Sequence, residues 1–490
     1  MKIVSVASEG MPYVKTGGLA DVVGTLPVEI HALGHEVLTF LPRYKSIDPG
    51  KWNLEVVIPE ISIPLGGEKE TGRVYAAKHS NGLQYYFIDH TEYFSRDELY
   101  GTPLGDYPDN DRRFIFFQRA VLETLRLLNI SPDIVHCHDW QTGLIPVYLR
   151  TLYSGEPLFR KTKAVFTVHN LAYQGNFPPD SLPLTGMGWE VFRLERLEFY
   201  GKVSFLKGGI VYSDAVTTVS ESYAEQIQIK EFGCGLEGIL QRRRDRLFGI
   251  INGVDYEEWN PETDPHLAAK FGLKTLQKKE TNKIALQKEN ELKVDPAIPL
   301  YGIVTRLVDQ KGIDILIPAL AKMAEWNLQF VLLGTGEEKY HQLFREIAKK
   351  NKGRFGIRIL FDPKMAKRIY GGCDFMLVPS YYEPCGLAQM IACRYATVPV
   401  VRATGGLRDT VQDFDPETQQ GNGFSFDKYT SEALLEAIQR SLKIYHDKKN
   451  WKILLRNCMT SDFSWAASAK KYVKLFEELQ HRKVDSFGKF

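Results

Sequence analysis

Two doubly wound α/β domains are the fold class this sequence predicts, on three observations. The chain has 490 residues, more than a single hydrophobic core accommodates, and length alone suggests roughly two or three domains. Short β-branched runs that end in Gly, Ser, Asp or His recur along it, separated by segments long enough for helices. Those runs are continuously apolar rather than alternating, the pattern of strands in a parallel sheet covered on both faces.

In order, the first half carries KIVSVAS, EVLTFLP, DIVHCHD, AVFTVHN and DAVTTVS, and the second carries YGIVTRL, FVLLGTG, DFMLVPS and VPVVRAT. Between them, residues 251–264 (INGVDYEEWNPETD) replace a strand signal with Gly, Asp, Asn and Pro, which marks the boundary. The closing segment DFSWAASAKKYVKLFEELQ has helical spacing. The expected division is 1–252, 253–460 and a C-terminal helical segment 461–490. Open α/β sheets carry their functional loops at the carboxyl ends of the strands, so two such domains are expected to face each other across a deep cleft.

Bulk charge excludes several function classes. Lys and Arg total 62 against 60 Asp and Glu, and a net charge of +2 provides no whole-protein field for nucleic acid or an anionic membrane. The six cysteines form no C-x-x-C pair and no dense framework, which suits a reducing compartment. The apolar run after Met1 meets Glu9 within ten residues, too short for a signal peptide, and no run reaches the ~18 residues of a spanning helix. The expectation is a cytoplasmic protein.

One turn occurs twice. KTGGLADVV (15–23) and TGGLRDTV (404–411) share T-G-G-L-x-D-x-V, but only the first is preceded by a lysine. Paired glycines let backbone approach a ligand phosphate at a helix N-terminus, and they serve strand-to-helix packing equally well. Lys15 favours an anion site in the first copy. In FVLLGTG, Gly334 and Gly336 allow close approach to phosphate or sugar, but the third glycine of a dinucleotide fingerprint is missing, which argues against a nicotinamide dehydrogenase. In VTRLVDQKG, Arg306 and Lys311 are two cations at a strand end, suited to a diphosphate or to a solvated surface.

DIVHCHDW offers His136, His138 and Asp139, but no convincing third and fourth metal ligand. FTVHN places His169 and Asn170 at another strand end. In PSYYEPCGL, Glu383 precedes a helix-like segment; its carboxylate suits sugar hydroxyls, positive charge at an anomeric carbon, or a helix N-cap. Cys385 has no histidine near it in sequence to make it a nucleophile.

Taken in order, KTGGLADVVGTLP, HCHDWQTGL, FTVHNLAYQG, FGCGLEG, INGVDYEEWNP, VTRLVDQKG, LLGTG, VPSYYEPCGLAQM and TGGLRDTV resemble the bacterial glycogen synthases and plant starch synthases along nearly the whole chain. The resemblance implies a GT-B fold, with a C-terminal helix returning to the first domain. It implies retaining transfer of glucose from ADP-glucose to the non-reducing end of an α-1,4-glucan, glycogen or a maltooligosaccharide, releasing ADP. Glu383, His169 and Asp139 are the implied catalytic set. Lys15, Arg306 and Lys311 are the implied diphosphate cations, and Gly18, Asp21, Asn170 and Asn252 lie on the donor side with Gly334 and Gly336. Phe361 is the implied adenine-stacking ring. Cys385, Gly386 and Leu387, with Thr404, Gly405 and Gly406 of the second turn, complete the donor side.

No cofactor is expected, and no D-x-D motif is placed to hold a metal. Gln141 departs from the family's usual histidine and removes an ionisable group. The expected location is the cytoplasm, or a plastid in a photosynthetic eukaryote, without nucleic-acid or membrane partners and with the oligomeric state open. Alternatives are a related enzyme using UDP-glucose or a small acceptor, and a catalytically silent glucan-binding paralogue.

Overall fold

The computed structural model describes residues 1–80, 82–102 and 104–481. The chain forms two compact units. Unit 1 holds Met1–Val219, Ala224–Ile250 and the helix Trp465–His481; unit 2 holds Ile251–Ser464 with the short stretch Ser220–Tyr223.

Unit 1 is built on nine strands: β1 (Lys2–Val6), β2 (Glu36–Pro42), β3 (Glu55–Leu65), β4 (Glu68–Lys78), β5 (Gln84–Asp89), β6 (Ile134–His138), β7 (Lys163–Val168), β8 (Ala215–Thr218) and β9 (Leu247–Gly249). Their order across the sheet is β9-β8-β7-β6-β1-β2-β5-β4-β3. The seven from β9 to β5 pair in parallel, and β6 and β7 are buried at every position, as a doubly covered sheet requires.

The edge pair departs from the all-parallel expectation. β4 runs antiparallel to both β5 and β3, and β3 alternates exposed and buried residues along its second half because only one face is covered.

Unit 2 has six parallel strands: β10 (Leu300–Val304), β11 (Gln329–Leu333), β12 (Phe355–Arg358), β13 (Phe375–Val378), β14 (Val398–Arg402) and β15 (Phe424–Phe426). Their order is β12-β11-β10-β13-β14-β15.

In each sheet the strand order reverses once within the parallel part, between β1 and β6 in unit 1 and between β10 and β13 in unit 2. Ligands of open α/β sheets bind at that switch, outside the carboxyl ends of the two strands. The topology therefore singles out the segments after Val6 and His138, and those after Val304 and Val378.

The helix Gly18–Ala32 follows the first glycine turn. It buries Leu19, Val22, Val23, Leu26 and Ile30, one face at helical spacing, each contributing on the order of 1.5–3 kcal/mol. The helix Trp465–His481 packs against it and seals the other side of β6, where Tyr472 and Phe476 lie 5.3 and 5.6 Å from the His136 ring. Gln480 donates to the Asp133 carbonyl at 2.8 Å, tying the end of that helix to the start of β6.

Candidate functional site

At the unit 1 switch, the loop after β1 brings in a residue that motif reading passes over. Glu9 is 4% exposed, and its carboxylate accepts the Thr16 amide at 2.5 Å, the Gly17 amide at 3.3 Å and the Thr16 hydroxyl at 2.9 Å. Tyr100 donates to the same carboxylate at 3.3 Å and bonds Ser8 at 2.7 Å. Burial, assisted by Tyr44 and the Glu9 and Asp139 carboxylates, holds the Tyr100 phenol protonated. Two of the amides that the glycine turn could offer a phosphate are thus committed to Glu9, which fixes the loop carrying Lys15. The one sequence signal was an acid shortly upstream of the turn.

Lys15 pairs with Asp21 at 2.6 Å near the surface. An exposed pair of this kind is worth at most about 1 kcal/mol, so the ammonium is available to a stronger anionic partner at small cost. Asp21 acts here as the lysine's counter-ion. A Cβ at Gly17 or Gly18 would meet nothing within 4 Å, so these glycines are not packing requirements and leave open space beside the backbone.

Across the switch, Asp139 follows β6 with φ 56°, an uncommon conformation for a residue with a side chain. Its Oδ1 accepts the His169 amide at 2.8 Å. Burial raises its carboxyl to about 7, with Glu9 adding repulsion and the His169 and Asn170 amides opposing it. His169 shares one hydrogen with His138, Nε2 to Nδ1 at 3.0 Å, and burial lowers its pKa to about 3, so the ring is neutral at pH 7. His136 is occupied by Thr167 at 2.7 Å. His138 and His169 are thus a hydrogen-bonded pair, with the His136 ring packed 4.1 Å from that of His138, and among the described residues no group of three His, Cys, Asp or Glu side chains is arranged to hold a metal ion. Trp140 packs between Phe114 and Phe177, and Gln141 is buried, its Oε1 without a hydrogen-bond partner among the described residues.

The unit 2 switch holds the second cluster. Lys311 Nζ lies 2.6 Å from Glu383 Oε2, and the Ser380 hydroxyl donates to the same oxygen at 3.0 Å. Glu383 is 8% exposed, so the sequence's separate diphosphate cation and reaction-centre carboxylate are one coupled pair. It borders a cavity of about 100 Å³ lined also by Thr305, Ser380, Gly386 and Leu387. Arg306, which follows the lining residue Thr305 in sequence, is exposed, with no ion-pair partner among the described residues. Asn252 is buried, its Oδ1 has no hydrogen-bond partner among the described residues, and its backbone amide bonds the Cys385 sulfur. Burial pushes the Cys385 thiol up to about 12, too high for a nucleophile. Phe361 is 83% exposed at the start of the helix Pro363–Gly372, and a ring so placed supports no core.

The glycines of unit 2 have a different reason from those of unit 1. A Cβ at Gly334 would lie 2.0 Å from the Thr305 carbonyl oxygen and one at Gly336 2.3 Å from that of Leu307, so the G-T-G turn is pressed onto the segment that carries Arg306. The Gly336 amide is taken by His341 at 3.0 Å. In the second copy of the repeated turn, Thr404 is buried, Gly405 has φ 45°, and a Cβ at Gly406 would lie 2.0 Å from the Cys385 carbonyl oxygen. The Gly406 amide donates to the Glu383 carbonyl at 3.1 Å. The two turns are alike in sequence and opposite in use: the first leaves room beside its backbone, the second packs behind the Glu383 loop. Gly406→Ala is expected to lower the melting temperature sharply, and Gly18→Ala to leave it within about 2 °C of wild type; thermal denaturation of both variants checks this.

Residues 2–242 match the family model for the starch synthase catalytic domain, and 284–453 match that for glycosyl transferases group 1. A glycogen synthase of Koribacter versatilis is 46% identical over 478 residues, covering 98% of each chain. One from Geotalea daltonii is also 46% identical, over 97% of this chain and 98% of that one. Among solved structures, the catalytic domain of Arabidopsis thaliana starch synthase IV, bound to ADP and acarbose, has a TM-score of 0.88 at 35% identity and covers 98% of this chain and 99% of that one. Sucrose-phosphate synthase of Thermosynechococcus elongatus, at 18% identity and a TM-score of 0.57 over 98% of each chain, shares the fold alone.

Proposed function

Because the chain belongs to the glycogen synthase and starch synthase family of GT-B glycosyltransferases, we propose that it transfers glucose from ADP-glucose to the 4-hydroxyl at the non-reducing end of an α-1,4-glucan, with retention of configuration and release of ADP. The observation that carries this reading is the Lys311–Glu383 pair at the unit 2 switch, with Arg306 on the same segment after β10 as Lys311. A buried carboxylate and two cations are what cleavage of a glycosyl diphosphate asks for, negative charge on the leaving group and positive charge at the anomeric carbon.

The bond from anomeric carbon to diphosphate oxygen breaks as the acceptor O4 attacks from the same face, and the O4 proton passes to the departing phosphate oxygen. Arg306 and Lys311 are assigned to the diphosphate, and so is Lys15. These fixed charges supply the counter-charge of the leaving group, and no cofactor or metal is assigned a step. Glu383 stabilises the oxocarbenium-like centre rather than attacking it. His169, neutral at pH 7, is suited to hydrogen-bond a glucose hydroxyl, and the Asn252 Oδ1 acceptor is assigned to the same sugar. Asn170 and Gly18 complete the donor contacts. Asp139 faces the acceptor, and Phe361 stacks on the adenine. The neighbouring segments Cys385–Leu387 and Thr404–Gly406 hold the Glu383 loop in place.

All six cysteines are free, which fits the cytoplasmic location assigned here, and no described helix is long and apolar enough to cross a membrane. Initial rates with ADP-glucose and UDP-glucose in competition test the donor; preference for UDP-glucose would replace this reading by the related-enzyme alternative. Lys15→Ala is expected to raise the KM for ADP-glucose at least tenfold and that for glucan less than twofold. Equal effects on both would remove Lys15 from the diphosphate.

A further inference from the structure

The loop that begins at His169 and Asn170 continues into an exposed tyrosine that the reaction does not use. Tyr173 is 61% exposed, and its amide is fixed on the Asn170 carbonyl at 3.2 Å. The next residue, Gln174, is held rigidly: its Nε2 donates to the Cys234 carbonyl at 3.0 Å, and its Oε1 accepts from Asn176 at 2.9 Å. Beyond Cys234, Gly235 adopts φ 83°, and a Cβ there would lie 3.1 Å from Phe199 and 3.3 Å from Tyr200. A continuous line of contacts therefore runs from the reaction-side loop through Gln174, Cys234 and Gly235 to Tyr200.

Tyr200 is itself anomalous. It sits with Gly201 at the tip of a two-residue hairpin joining Glu198–Phe199 to Lys202–Ser204, and both tip residues have positive φ, 49° and 75°. That is the turn for which Asn-Gly is the favoured sequence, and a bulky aromatic in its first position is strained. The ring gains little burial in return, being 81% exposed with an edge contact to Phe199 at 4.7 Å. Strain kept at an exposed residue points to a use outside the fold.

Resting on the reading that the acceptor is a glucan, we propose that Tyr173 and Tyr200 form a two-ring platform for the α-1,4-glucan chain behind its reacting end. Sugar rings present an apolar C–H face that packs on aromatic rings and hydroxyls that bond nearby polar groups, here Gln174 and the Glu198 carboxylate that accepts the Gly201 amide at 2.7 Å beside the Tyr200 ring. The platform grips residues of the chain that a maltotriose is too short to supply.

Tyr200→Asn separates this role from a structural one, because asparagine relieves the turn. The variant is expected to melt at or above the wild-type temperature while the ratio of KM for glycogen to KM for maltotriose rises about fivefold, with Tyr173→Ser acting in the same direction. An unchanged ratio in both variants overturns the platform. A second readout needs no turnover: Cys234 is the exposed one of the six cysteines, all of which lie among the described residues, so maleimide labelling reports on this surface. Maltoheptaose is expected to slow labelling of the wild type and not of Tyr200→Asn; equal labelling with and without maltoheptaose also overturns the platform. If the wild type releases no ADP with glycogen, the acceptor reading fails instead, and the labelling result still decides whether glucan binds here.

Discussion

Glu383→Gln is expected to lower kcat by a factor of about 100 to 1,000 with a smaller change in the KM for ADP-glucose. The substitution keeps the shape of a side chain held by Lys311 at 2.6 Å and Ser380 at 3.0 Å, and removes only its charge. If that charge stabilises the anomeric centre, its loss is felt as bonds break rather than in donor binding. The pair is also largely withdrawn from solvent, so the single variant leaves the Lys311 ammonium without its counter-ion. Stability is therefore expected to fall by about 1–3 kcal/mol in Glu383→Gln and to recover partly in the Lys311→Met/Glu383→Gln double variant. Single-turnover rates and denaturant titrations measure the two effects separately. Near-normal turnover in Glu383→Gln with unchanged donor affinity would remove the carboxylate from the reaction.

Asp139→Asn is expected to cost at least a hundredfold in glucan transfer while stabilising the fold at alkaline pH. Folding raises the Asp139 carboxyl from 3.8 to about 7, so the folded state binds this proton more tightly than the unfolded chain does. The stability that this provides is fully present below pH 4 and is lost as pH rises through about 7. Asparagine imitates the neutral acid at every pH and can still accept the His169 amide. The variant should therefore exceed the wild type by about 4 kcal/mol at pH 8, with the margin closing as pH falls toward 4. A margin that is flat with pH, or reversed, would mean that Asp139 is not held against its ionisation. Such a carboxyl, strained in backbone and costly to ionise, is kept at the expense of stability, as functional groups often are.

What sequence reasoning could and could not reach follows from the range of the interactions involved. Strands such as Ile134–His138 and Phe375–Val378 were legible because burial on both faces demands an unbroken apolar run, and the residues just after them mark the strand ends where sites collect. The antiparallel edge pair Glu55–Leu65 and Glu68–Lys78 was not among the runs that carried the fold reading, since one exposed face fills it with charged residues.

Glycine motifs were legible as turns and not as uses. Gly18 and Gly406 stand in identical tetrapeptides, yet only the contact each absent Cβ would make shows that the first lies open and the second is wedged against Cys385. Glu9 has no motif of its own because its partners are backbone amides, which no side-chain pattern announces. The coupling of Lys311 to Glu383 spans 72 positions and two strand ends, and only the sheet order brings them together.

The purified chain is expected to transfer glucose from ADP-glucose to a glucan with the α configuration kept. The most direct test incubates ADP-glucose labelled in its glucose with glycogen, counts ADP released against glucose incorporated, and assigns the new linkage by NMR. One ADP per glucose and an α-1,4 linkage are predicted. ADP release without incorporation, or a β-linked product, would contradict it.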